Sequence, residues 1–121
     1  MTVLSGILFL LFAHTLADFA LQSSWMAENK GKYWWLMAAH CTIYTGIVYL
    51  AMMRVLVTAN DAQLFVAIPI LFITHWLFDK WKCEDVKKGV LSDTELVILD
   101  QAAHIVILVV MFGAMGGMYA H

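Results

Sequence analysis

Four apolar stretches, at about 2–21, 33–57, 62–78 and 96–118, take up nearly the whole chain of 121 residues. A helix needs about 20 mainly apolar residues to cross the hydrocarbon layer of a bilayer, and each stretch is near that length. Too few residues remain for a separate soluble domain. Charged side chains make up 13% of the chain, about half the share in an ordinary soluble domain. The expected fold is therefore all-α: a single integral membrane domain over 1–121, built as a four-transmembrane-helix bundle with up-down topology. The first stretch has no Lys or Arg ahead of it and no small-residue cleavage site behind it, so it reads as a retained helix, not a secretion signal.

The connections bound these helices. Residues 22–32, QSSWMAENKGK, are polar and include Gly31; VTAND, ending at Asp61, makes a tight second turn; the segment from Lys80 to Glu95 is the longest connection. Ser92, three residues before Glu95, has the pattern of a capping box that starts the fourth helix. Pro69 predicts a kink in the third helix, because neighbouring helices compensate for its missing N–H. Gly113, Gly116 and Gly117 predict close packing near the end of the fourth. Lys30, Lys32, Lys80, Lys82, Lys87 and Lys88 lie in the first and third connections, against Arg54 on the opposite side. The positive-inside rule then places those two connections in the cytoplasm and both termini outside. Trp25, Trp34, Trp35, Trp76 and Trp81 fall at the same helix ends and read as an interfacial belt. A net charge of -2, with no basic patch interleaved with aromatics apart from that belt, excludes a nucleic-acid partner.

Polar residues inside the spans carry the functional signal. His14 precedes Asp18 by four, His75 precedes Asp79 by four, and on the last helix Asp100 precedes His104 by four. Residues four apart share a helix face. In an up-down bundle the first and third helices run toward the cytoplasm and the fourth runs away, so the reversed order sets every aspartate on the cytoplasmic side of its histidine. His40 adds an imidazole from the second helix, with Tyr44 one turn deeper. At 1.5 Å per residue, His14, His40 and His104 lie on the order of 10 Å below the boundary, with His75 shallower. An ionised carboxylate at that depth is costly unless it is paired. The helices contain no Lys or Arg to pair with it, Lys80 reaching only the edge, so protonation or a bound cation must remove the charge. The metal-ligand set is His14, Asp18, His40, His75, Asp79, Asp100 and His104: a mixed nitrogen and oxygen shell that suits zinc first, iron or manganese as alternatives, and one ion or two.

Simpler readings compete with this one. Isolated intramembrane histidines serve as interhelical hydrogen-bond partners, and His/Asp chains relay protons; the matched depth of all seven residues weighs against the former. Haem ligation needs no aspartates. Tyr44 and Gln22 read as polar anchors ahead of partners of the site, and Met52, Met53, Met111 and Phe72 as packing. Cys41 points about 100° away from the face of His40. Neither it nor Cys83 has CxxC spacing, so neither a thiolate ligand nor a disulfide is expected. His121 is expected to be solvated.

The order H-T-L-A-D-F with Gln22 and Trp25–Met26 after it, then His40, H-W-L-F-D-K and L-D-Q-A-A-H, resembles a family of small four-helix bacterial and phage integral membrane proteins known only as a domain of unknown function. The resemblance covers most of the chain. It implies a bacterial inner membrane, hence periplasmic termini, and it implies no activity. A looser likeness, to membrane-bound metal-dependent hydrolases with His and Asp on their helices, is analogy. Hydrolysis of a lipid-linked or headgroup substrate at the cytoplasmic leaflet is the first functional expectation, with Asp18 or Asp100 moving the proton. Transport of a divalent metal or of protons is the second, and the scarcity of polar groups beyond Tyr44 weighs against it. A structural metal in a small accessory subunit, within an oligomer or a larger membrane complex, is the third.

Overall fold

The apolar stretches form helices in a computed structural model that describes residues 2–56, 59–89 and 91–116. Helix α1 spans Val3–Thr15 and continues as a π-helical turn over Leu16–Ala20; α2 is a short helix, Ser24–Asn29; α3 spans Trp34–Val55, α4 Asp61–Lys88 and α5 Asp93–Ala114. No strand occurs among the described residues. Four segments are long and apolar enough to cross a membrane: Val3–Ala20, Trp34–Val55, Asp61–Asp85 and Asp93–Ala114.

Local chemistry sets the helix ends. Ser92 Oγ accepts from the Glu95 N–H at 3.2 Å, as the sequence pattern predicts, and Thr2 Oγ1 caps α1 in the same way at 3.1 Å. A full reciprocal box opens α4: the Gln63 N–H donates to Asn60 Oδ1 at 2.8 Å and the Asn60 N–H donates to Gln63 Oε1 at 3.1 Å. Pro69 sits inside α4, which remains one helix.

Both lysine-bearing connections are more helical than expected. The first contains α2, started by Ser23 Oγ accepting from the Met26 N–H at 3.1 Å. The third is mostly the end of α4, which runs on through Lys80 to Lys88. Between Phe78 and Gly89 there is no Gly or Pro to stop a helix, and polar residues with good helix propensity extend it past the apolar run. Gly89, at φ +68°, ends it in the left-handed conformation. Gly116, at φ +90°, follows the end of α5, so its use is termination of the helix, not the helix packing expected of it. Gly117 and His121 lie outside the described residues.

Helices α1, α3, α4 and α5 close a ring, each packing on the next and α5 returning to α1, while α2 lies against α3. The distribution of side chains is inverted relative to a soluble bundle. Leu4, Phe12, Phe65, Leu77 and Val110 are exposed. The interior has an apolar layer, with Leu10, Val48, Met52, Leu71, Leu108 and Phe112, and a polar layer containing the seven His and Asp residues singled out above, all buried. Apolar surface gains little from leaving lipid, so helix contacts in a membrane depend on close packing and hydrogen bonds, and the polar layer carries much of the specificity.

Gly89 tests the turn between α4 and α5. A Cβ there would meet nothing within 4 Å, so its cost is conformational: Gly89→Ala should destabilise the bundle by about 1 kcal/mol, and Gly89→Asn by less, because Asn tolerates this conformation. Unfolding in mixed detergent micelles measures the series; equal stability of all three proteins would contradict the assigned turn.

Candidate metal centre

The polar layer resolves into two groups of convergent donors. In the first, His40 on α3, His75 and Asp79 on α4, and Asp18 from the π turn present four ligand atoms within 4.8 Å of one another. His40 Nε2 lies 2.8 Å from His75 Nε2, 3.3 Å from Asp18 Oδ1 and 3.0 Å from Asp79 Oδ2; His75 Nε2 lies 3.5 Å and 3.4 Å from the same two oxygens. Bonds of about 2.0 Å to a tetrahedral ion place its donors about 3.3 Å apart. These five separations bracket that value and the sixth, between Asp18 and Asp79, is within 4.8 Å, so the set is of a size to enclose one ion.

The second group is Asp18, Asp100 and His104. His104 Nε2 is 3.2 Å from Asp100 Oδ1 and 3.6 Å from Asp79 Oδ1. All three atoms are buried without a hydrogen-bond partner. Buried polar atoms are nearly always satisfied, and an unpaired one calls for an explanation such as a water or an ion. Asp18 belongs to both groups, and Asp79 turns one oxygen toward each.

The π turn explains how Asp18 arrives there. The Leu21 N–H donates to Leu16 O at 3.0 Å, a wider turn than the α-helical one, and such turns occur often at functional sites. It detaches Asp18 from the simple spacing of four that would stack it on His14. His14 is accordingly not in either donor group. Its Nδ1 is 2.8 Å from the Tyr44 hydroxyl and its Nε2 is 2.7 Å from Gln101 Oε1. The directions that satisfy every group run one way: Tyr44 O–H donates to Nδ1, Nε2–H donates to Gln101 Oε1. The Gln101 amide then donates to Asp18 Oδ2 at 2.9 Å and Asp100 Oδ2 at 3.2 Å. His14, expected as a ligand, thus holds Gln101, and Gln101 holds two carboxylates. Tyr44, read from sequence as an anchor, is a partner of the site and also stacks on His75 with ring centroids 3.8 Å apart.

Two lysines reach the carboxylates, against the expectation that no cation would. Lys30 Nζ donates to Asp79 Oδ2 at 2.7 Å and to Gln22 Oε1 at 2.8 Å. It is 4% exposed, while Asp79 and Asp100 are 0% exposed. Lys82 Nζ donates to Asp100 Oδ2 at 3.0 Å. Lys82 arrives because α4 continues past Asp79. Lys30 arrives because the chain passes close over α4 at Gly31, where a Cβ would stand 2.8 Å from Cys83 Cβ. Lys80, the neighbour that sequence suggested, is exposed. With the imidazoles uncharged, two ammonium groups against three carboxylates leave one negative charge uncompensated inside the bundle.

Four apolar helices around buried His/Asp groups able to hold a metal define the class: an all-helical protein with four segments fit to span a membrane and a polar centre inside. The chain belongs to the family described as protein of unknown function, DUF3307, which matches residues 7–119. No curated protein and no solved structure matches it.

Breaking a buried ion pair by removing one partner costs about 3–5 kcal/mol. Lys30→Met should therefore destabilise the metal-free protein by that order, and Asp79→Asn in the Lys30→Met background should recover part of the loss. Lys80→Met should change little. Unfolding in mixed micelles checks all three; equal effects at positions 30 and 80 would remove Lys30 from the site.

Proposed function

We propose that this protein is an integral membrane metal-binding protein, with a divalent ion held by Asp18, His40, His75 and Asp79, that hydrolyses a lipid-linked or headgroup ester. The observation that carries the metal reading is the spacing of four buried donors from three helices, of a size to enclose one ion. The unpartnered Asp79 Oδ1, Asp100 Oδ1 and His104 Nε2 support it, because an ion or water among them satisfies what the protein leaves unsatisfied. Zinc suits two imidazoles and two carboxylates in this geometry, with iron and manganese following.

A divalent ion held there supplies Lewis acidity, which polarises an ester or phosphoryl oxygen and lowers the pKa of water. The chain's own residues handle protons and position. Hydrolysis adds the oxygen of water to the carbonyl carbon or phosphorus, breaks the ester bond and delivers one proton to the leaving alkoxide. Asp100 Oδ1 and His104 Nε2, 3.2 Å apart and unpartnered, are placed to hold and return that proton. Gln101 and Lys82 fix the other oxygen of Asp100, and so its orientation. Asp18, in both donor groups, fits a ligand role better than a proton-transfer role.

The four spans cross alternately in this reading, with the lysine-bearing connections in the cytoplasm, the termini in the periplasm of a bacterial inner membrane and the site under the cytoplasmic leaflet. One observation favours a second reading. Four protein donors already complete a tetrahedron, as in structural sites, whereas catalytic zinc keeps an open position; on that reading the ion clamps α1, α3 and α4 together in a scaffold or accessory subunit.

Elemental analysis of protein purified in detergent tests the proposal. Wild type should carry a divalent metal at near-stoichiometric level, His40→Ala combined with Asp79→Ala should lose it, and His14→Ala should keep most of it because His14 lies outside both donor groups. Asp100→Asn should retain the metal under the hydrolase reading, at some cost in stability from the loss of its pair with Lys82, while turnover falls by about 100-fold or more. Under the structural reading, chelation alone should unfold the bundle. A wild-type protein that neither carries nor takes up metal would sink both.

A further inference from the structure

A cavity of ≈ 330 Å³ adjoins the polar layer, lined among others by Gln22, Glu28, Lys30, Lys32 and Lys82. Two of these residues are the same ones that pair with the carboxylates: Lys30 with Asp79 and Lys82 with Asp100. The cavity and the donor groups are thus joined through these two ammonium side chains. Each ammonium has three N–H donors. Lys30 uses two on Gln22 and Asp79, and Lys82 uses one on Asp100, so donors remain. Lys32, exposed on the same wall, adds a third positive charge against the single carboxylate of Glu28.

Depth narrows the ligand. The cavity wall is built from the end of α2, the residues before α3 and the polar end of α4. Trp25, Trp34, Trp35 and Trp81, all exposed, lie in these same segments, and such aromatics mark the headgroup level of a membrane. The abundant anion of that layer is phosphate. Charge gives the reason for it to bind beside an ion. Without metal, and with the imidazoles uncharged, the two lysines serve the carboxylates and one negative charge is left over. With a divalent ion on Asp18 and Asp79, the same groups carry one net positive charge, and Lys30 is released from Asp79 while Lys82 stays on Asp100 with donors to spare.

We propose that this cavity is an anion subsite that seats the phosphate of a phosphate ester on Lys30, Lys32 and Lys82, and that it fills together with the metal centre. The assignment rests on the metal reading above and adds the substrate class to it. By linkage, ion and phosphate each raise the affinity of the other by the same factor.

The test uses the full chain in uncharged detergent, apo or zinc-loaded with excess metal removed, and calorimetry with three ligands: inorganic phosphate, a short-chain phosphatidate and a short-chain diacylglycerol. Phosphate-bearing ligands should bind zinc-loaded protein about tenfold tighter than apo protein, within the usual range of coupling, and diacylglycerol should not compete. Lys82→Met and Lys32→Gln should each weaken phosphate binding several-fold at unchanged zinc content; Lys32, being exposed, keeps the test valid if Lys82→Met fails to fold. Phosphatidate far tighter than inorganic phosphate identifies a lipid headgroup as the source, and equal affinity identifies a soluble phosphate. Zinc binding without phosphate coupling, or coupling indifferent to Lys32→Gln, overturns the subsite and leaves the metal centre standing. Failure to bind zinc overturns the metal centre itself.

Discussion

Placing three carboxylates inside an apolar four-helix bundle is the constraint on which the rest of the structure depends. Unpaired, each would cost several kcal/mol in a medium that cannot solvate it. The chain answers with contacts from every direction: imidazoles at 3.0–3.5 Å from Asp18 and Asp79, an ammonium on Asp79 and another on Asp100, and one amide shared between Asp18 and Asp100. The helices are tied to each other through these groups. In a membrane, where apolar contact between helices is worth little more than contact with lipid, such a network does the work that a hydrophobic core does in water.

Among the described residues five buried side-chain atoms lack a hydrogen-bond partner, Thr45 Oγ1 and His75 Nδ1 being two of them, and the other three form a cluster. Asp79 Oδ1, Asp100 Oδ1 and His104 Nε2 stand together, beside His40 Nε2 and His75 Nε2, which are 2.8 Å apart and share one N–H···N hydrogen bond that a bound ion would replace. A core selected for stability alone would close such gaps with apolar groups of similar volume, which is often neutral or better. Retaining the polar groups at this depth is easier to understand if something else completes them.

Periodicity made much of this legible, and its failures are instructive. The four spans and the seven buried His and Asp residues follow from hydropathy and from spacings of four, because both are local properties of a helix. What escaped has longer range. The π turn inserts a residue's worth of rotation that no spacing rule contains, so Asp18 enters both donor groups while His14, four residues earlier, contacts Tyr44 and Gln101. Gln101 sat in view within L-D-Q-A-A-H, yet an amide between two ligand candidates gives no signal until its three partners, on two helices, are known. Lys30 could not be placed because its approach depends on the contact of Gly31 with Cys83, two segments about fifty residues apart. For Lys82 the sequence holds a partial signal: it follows Asp79 by three, on the same helix face once α4 runs past residue 78, although its partner is Asp100 on α5.

The asymmetry of the bundle bears on which chemistry it can support. The polar layer is linked on one side, through Lys30 and Lys82, to the lysine-lined cavity and is backed on the other by apolar side chains including Leu10, Val48, Met52, Leu71, Leu108 and Phe112. An ion moving through the bundle would have to shed its ligands and cross that apolar layer before reaching the cleft of ≈ 410 Å³ lined by Asn60, Gln63, Ala67 and Met111. An ion that stays, and a ligand that arrives and leaves from the same side, need only the one opening. The apolar layer is then useful in itself, because it packs the helices together behind the donors and gives them a low-dielectric backing that strengthens every interaction the carboxylates make.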